Sequence, residues 1–323
     1  LQLRTLEFFC HVADQRSFSK AAVTAGVTQS AVSQSIGHLE ETLETTLIDR
    51  SKRPLALTKA GQIYLRGVRE IVRQYRELEE QVHHHGQQLS GTVTIGAVYS
   101  VGLSYMPEAT AAFEKSHPEV RVRTEFGSSQ RVVELVLDNA VDFGLVSFPR
   151  ATKTLGAIPW LSEPMRLVCS SDHPLAGETE IPASRLQGIE MVGFERGLVL
   201  RQAIDQCLKA AGISVVTSME FDNADSMVRA IQANRGIGMV PESAVRRETA
   251  TGTLKVVSCR DIQMVRPLGI IFRKGGKLSR AAVEFGSLLL GREMEVELRT
   301  KSEAARADRQ RSESNNRAVS VVI

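Results

Sequence analysis

Gln29, Ser30, Ser33 and Gln34 are short, uncharged side chains in one run of residues, and positions 29 and 33, like 30 and 34, stand one helical turn apart. Amides and hydroxyls both donate and accept hydrogen bonds, so such a face can read base edges in a major groove without desolvating a charge. Thr28 precedes them and can cap the helix that carries them. A second set is basic. Residues 50–59, RSKRPLALTK, hold Arg50, Lys52, Arg53 and Lys59 and no acid, whereas residues 1–49 carry three basic and six acidic side chains. That placement suits phosphate contact. The alternatives are a helical hairpin with a polar solvent face and a solvated basic loop.

These side chains need elements to hold them. Ser17 can cap a first helix whose Phe18, Ala21, Ala22 and Ala25 recur at three- and four-residue spacing, and the small alanines admit a close neighbour. Gly26 then stands where a left-handed conformation stops a helix. A second helix from Gln29 to about Leu43 would turn Ala31, Val32, Ile36 and Leu39 inward. The spacing predicts a helix-turn-helix, and Pro54, Leu55, Leu57 and Thr58 after the basic turn predict the short strand of a wing.

An amphipathic first helix (Leu3, Leu6, Phe9, Val12), then RSFSKAAVTAGVTQSAVSQSIGHLEETL, then LIDRSKRPLALTKAG, resembles the N-terminal domain of LysR-type transcriptional regulators over about sixty residues. Ile48 departs from the family's usual phenylalanine. The resemblance implies an α/β protein: a winged helix-turn-helix, a long linker helix and a two-lobed, periplasmic-binding-protein-like (type 2) effector domain. The corresponding segments are 1–58 for the DNA-binding domain (motif about 17–37), 59–90 for the dimerisation helix and 91–291 for the effector domain. Lobe I would take about 91–161 and 267–291, and lobe II about 162–266. VDFGLV, SSDHPLA and RGIGMVPESAV carry the likeness through the effector domain, and residues 292–323 form a charged tail expected to be solvated and disordered.

Between the domains, Tyr64, Val68, Ile71, Tyr75, Leu78 and Val82 are spaced by four and three residues, a heptad seam suited to pairing two chains. His83, His84 and His85 point in different directions on a helix and make a poor metal site; a solvated terminus is expected there. From Thr92 strands alternate with helices, which predicts a largely parallel sheet. Ligands of open α/β lobes bind at the carboxyl ends of strands, which gives Tyr99, Ser100, Val101, Ser128 and Ser129 in one lobe, Phe194, Gly197 and Asn223 in the other, and Ser147 near the floor. A small, anionic effector is the expectation. Some relatives carry a loop like E-x-G-S-G-T-R with hydroxyls for an anion; residues 195–201 keep the first glycine and last arginine but have Leu198 and Leu200 where the hydroxyls would stand and Val199 for the second glycine.

With 323 residues and 42% hydrophobic content, two or three domains are expected, and a net charge of +3 decides nothing alone. No apolar run approaches a membrane span, the first residues lack a signal-like pattern, and a cytoplasmic location is expected. Cys10, Cys169, Cys207 and Cys259 are far apart and form no metal pattern, and there is no nucleophile elbow, zinc-protease motif or phosphate loop. Neither catalytic nor metal residues nor a cofactor are therefore expected. An enzyme or transport protein with this binding fold and a redox regulator sensing through Cys207 are the competing readings. The expected partners are double-stranded DNA, the effector and a second copy in a homodimer or, by resemblance, a homotetramer, with RNA polymerase as a further candidate.

Overall fold

The computed structural model describes residues 2–83, 89–295 and 298. The chain divides into two compact units, the first holding residues 1–91 with 119–121 and 138–140, the second the remainder. Helix α1 (Leu3–Gln15) opens the first unit and turns Leu6, Phe8, Phe9 and Val12 inward. Helix α2 (Phe18–Ala25) is capped by Ser17, which accepts from the Lys20 N–H, and ends at Gly26 with φ of 65°, the left-handed turn that a side chain resists. Helix α3 (Gln29–Thr42) is capped by Thr28 and buries Val32, Ile36 and Leu39. Ala31 is half-exposed instead.

Strands β1 (Ile48–Asp49) and β2 (Ala56–Leu57) pair antiparallel and form the base of the wing. Helix α4 (Lys59–His83) follows at once, with Thr58 Oγ1 accepting from the Gly61 N–H at 3.0 Å. At Gly61 a Cβ would lie 2.1 Å from the Leu47 carbonyl oxygen, so helix and wing base meet only because no side chain intervenes. One stripe of α4 packs in its own unit: Val68 and Val72 bury against Leu6, and Tyr64 meets the Phe9 ring edge-on at 5.5 Å. Arg69 pairs with Asp14 of α1. Val68, 2% exposed, and half-buried Tyr64 are thus taken up by α1 and leave the predicted seam. Ile71, Tyr75, Leu78 and Val82 are 52%, 43%, 57% and 66% exposed, and Ile63, about two turns before Ile71, is 66% exposed. His84 and His85, and the tail beyond residue 298, lie outside the described residues.

In the second unit β3 (Gly91–Val98) leads directly into α5 (Tyr99–Ser116), followed by β4 (Val120–Gly127), α6 (Ser129–Leu137) and β5 (Phe143–Ser147). The 16-residue strand β6 (Leu155–Ser170) comes next, then β7 (Glu180–Ile181), β8 (Glu190–Phe194), α7 (Val199–Ala210) and β9 (Val216–Phe221). Helix α8 (Ala224–Gln232), β10 (Ile237–Pro241), α9 (Arg246–Thr251), β11 (Leu254–Val256), β12 (Ser258–Cys259), β13 (Val265–Arg273) and α10 (Arg280–Leu290) complete it. Among the described residues the main sheet has nine strands in the order β4-β3-β5-β13-β6-β10-β8-β9, with β11 on β6.

The sheet is mixed, not largely parallel. β3 with β5, β8 with β10 and β8 with β9 run parallel, but β13 opposes β5 and β6, and β10 opposes β6. The reason is β6 and β13: β6 pairs with β13 through Leu155–Pro164 and then with β10 through Met165–Val168, so the chain crosses between two βα series along the sheet itself. Helix α5 begins at Tyr99, directly at the end of β3. Its first turn contains Gly102, where a Cβ would strike the Phe126 ring at 2.5 Å, and serine and glycine there hide the helical period. The predicted tail also starts packed: Met294 is fully buried against Gly286 and its N–H donates to Ser287 Oγ at 2.9 Å.

Candidate DNA interface and effector site

On α3 the side chains of Gln29, Ser30 and Gln34 are exposed and Ser33 is half-exposed. Thr28 is committed to its cap, accepting from the Ala31 N–H at 3.3 Å and lying 3.0 Å from Ser30 Oγ. The wing is tied to this helix by a residue the sequence reading did not single out. Glu40 Oε1 accepts from the Leu47 and Ile48 N–H groups at 2.7 and 3.0 Å, and its Oε2 accepts from Arg50 Nη2 at 2.8 Å. The Arg50 guanidinium also lies over the Phe18 ring at 5.5 Å. Arg50, expected on DNA, thus clasps α3, α2 and the wing base together. Arg53 Nη1 donates to the carbonyls of Arg50 and Lys52 at 2.8 and 3.0 Å, holding the turn, while exposed Lys52 lies 3.8 Å from the Asp49 carboxylate. Glu40 stands beside Glu41 and ahead of Glu44, so its residue type alone does not single it out; its bonds to the Leu47 and Ile48 N–H groups do.

At the carboxyl ends of neighbouring strands β3 and β4 the structure gathers Tyr99, Ser100, Ser128 and Ser129. Tyr99 stacks on Phe126, centroids 5.8 Å apart and planes 19° apart, with both rings exposed. Val101 is fully buried, which leaves its backbone alone for a ligand. Ser128 Oγ accepts from the Arg131 N–H at 3.2 Å as a helix cap, while Ser129 opens α6 half-exposed. Ser100 Oγ accepts from Arg266 Nη1 at 2.8 Å. Ser147 pairs with Leu268 in the sheet, half-exposed at the end of β5.

At the ends of β8 and β9, Phe194 is buried, so its side chain is core and not a site wall; its carbonyl accepts from Arg201 Nη1 at 2.6 Å. Arg201 further donates to Asp205, Glu220 and Thr217 at 2.7, 3.0 and 3.1 Å. This hydrogen bond holds the Glu220 carboxyl below its ordinary range. The arginine retained from the family's loop thus spends four of its five N–H groups on its own domain. Asn223 Oδ1 caps α8 on the Ser226 N–H at 2.9 Å, and Gly197 is exposed with open space at its Cβ position.

Burial, then the neighbouring Cys259, pushes the Cys207 thiol up, the opposite of what a reactive thiolate needs. The fold brings the two cysteines into electrostatic reach despite their sequence separation. No group of three potential metal ligands occurs among the described residues, and no described helix is long and apolar enough to cross a membrane.

Residues 3–62 match the family model for bacterial regulatory helix-turn-helix proteins of the lysR family, and residues 86–293 match the LysR substrate binding domain. The transcriptional dual regulator GltC of Bacillus subtilis is 30% identical over 287 residues, covering 88% of this chain and 95% of GltC. The hydrogen peroxide-inducible genes activator of Haemophilus influenzae is 26% identical, covering 86% of this chain and 92% of that protein. Among solved structures, a full-length OxyR from Pseudomonas aeruginosa superposes with a TM-score of 0.68 at 20% identity, covering 90% of this chain and 94% of OxyR. Vibrio fischeri DarR, solved in complex with DNA, gives 0.55 at 18% identity, covering 90% of this chain and 98% of DarR.

Proposed function

This chain belongs to the LysR family of DNA-binding transcriptional regulators, and we propose that α3 reads its operator through Gln29, Ser30, Ser33 and Gln34 while a small anion at the strand ends of the effector domain controls it. Its relatives are regulators and not enzymes, and the family pairs a helix-turn-helix with an effector-binding domain. The observation that carries the reading is the clasp of Glu40 on Arg50 and the wing base, which leaves the polar face of α3 exposed beside the basic turn. Phosphate contacts then orient the unit and α3 discriminates bases. The effector would lie against Tyr99, Ser100 and Ser129. Solved relatives support an acidic ligand: the CcmR regulatory domain of Synechocystis holds 2-PG and the QuiR effector domain holds shikimate. Pairing of two copies through Ile71, Tyr75, Leu78 and Val82, a cytoplasmic location and contact with RNA polymerase complete the proposal.

Selection of bound duplexes from a random library with the full chain tests the DNA reading. The expected result is one enriched motif with two symmetry-related half-sites, as a dimer requires. Binding that depends on salt alone, with no motif enriched, would leave only non-specific phosphate attraction.

A further inference from the structure

Arg266 and Glu163 are the charged pair at the centre of the effector domain, 1% and 2% exposed, facing each other across β13 and β6. Glu163 is saturated. Its Oε2 accepts from Arg266 Nε at 2.9 Å and from Arg266 Nη2, and its Oε1 accepts from the Tyr105 hydroxyl at 3.1 Å and the Ser243 N–H at 3.2 Å. Burial, then the Glu163 charge, pushes the Tyr105 hydroxyl up, which keeps it a donor. The guanidinium edge turned away from Glu163 is Nη1, and it donates to Ser100 Oγ at 2.8 Å. A hydroxyl has one proton and two lone pairs. With a guanidinium N–H on its oxygen, the proton of half-exposed Ser100 is left for an acceptor, and the charge behind it strengthens that donation.

Beside Ser100 in the first turn of α5, Tyr99 stacks on Phe126 with both rings exposed, and Phe126 is held against the bare backbone of Gly102. Two parallel aromatic faces open to solvent favour a flat apolar body. Resting on the reading of these strand ends as the effector site, we propose that the effector is a carboxylate carrying a flat apolar ring. Ser100 donates to its carboxylate, the Tyr99 and Phe126 pair flanks its ring, and Arg266 is a positioning residue that sets the polarity of Ser100 without touching the ligand.

Benzoate is the probe, with benzamide as its uncharged isostere and acetate as the ringless anion, titrated calorimetrically into the full-length protein at neutral pH. Wild type should bind benzoate about tenfold or more tighter than either control, the scale of one hydrogen bond to a charged group. Ser100→Ala should bring benzoate and benzamide within about threefold of each other, and so should Arg266→Met combined with Glu163→Gln, which removes both buried charges together. A purely structural role for Arg266 would weaken both probes equally and keep their ratio. Tyr99→Ala should weaken benzoate and benzamide alike. The proposal is overturned if wild type binds benzamide as tightly as benzoate, if the ratio survives in the double variant, or if benzoate does not bind. None of these results touches the DNA reading, which the duplex selection decides. Binding of benzoate unaltered in both Ser100→Ala and Tyr99→Ala overturns the strand ends as the effector site as well.

Discussion

Gln29 and Lys52 are both exposed, and in the proposed interface they would meet DNA in different terms because an amide matches a base edge whereas an ammonium is a point charge. Gln29→Ala is expected to weaken operator binding by about 1–3 kcal/mol and to relax base preference at one position. Lys52→Ala should weaken all sequences alike and reduce the salt slope by about one unit. Arg53 is the poorer test of phosphate contact, since its Nη1 closes the wing turn on two carbonyls and its removal would disturb the turn itself. Anisotropy titrations of operator and scrambled duplexes across a salt series separate the two effects. A changed base preference in Lys52→Ala at unchanged slope would move that residue from the backbone to the bases.

At the scale of elements, α3 and the wing are one device because Glu40 joins them. Glu40→Gln retains a carbonyl oxygen for the Leu47 and Ile48 N–H groups but offers Arg50 an amide donor where it had an acceptor. The partly exposed Arg50 pair is screened, so a stability loss of about 1–2 kcal/mol is expected in thermal unfolding, with operator binding reduced more than non-specific binding. An unchanged midpoint would show that the wing base stands without the clasp. The helices of this region were legible because caps and periodicity agree: Ser17, Gly26 and Thr28 sit at the ends that the structure gives α2 and α3. The role of Glu40 was not legible, since its partners are seven to ten residues away and are mostly backbone. Likewise Arg266 and Glu163 are 103 residues apart, so no local spacing pairs them. The start of α5 was hidden for a different reason: its first turn is read by Phe126 from another strand, not by a period of its own.

For the whole molecule the seam of α4 decides whether one head or two meet the operator. Tyr64 and Val68 face α1, so the surface left for a second copy runs through Ile63, Ile71, Tyr75, Leu78 and Val82. Scattered exposed apolar residues are ordinary, but Ile71, Tyr75, Leu78 and Val82 recur at four- and three-residue spacing along one stripe of the helix, which water disfavours. In the proposed dimer two such helices would bury each other's strips, and the second head would then bind its half-site at the effective concentration set by the first. Ile71→Asp with Leu78→Asp places like charges across that interface, which no gain in packing offsets. The expected outcome is a monomer in sedimentation velocity with an unchanged helical circular dichroism spectrum, and operator affinity lowered about a hundredfold or more toward that of a single head. Val68→Ala is the contrasting control: its side chain lies inside the unit, so it should lower the unfolding temperature and leave the association state alone. A double aspartate variant that stays dimeric, or a Val68→Ala protein that dissociates, would place the interface on the other stripe of α4.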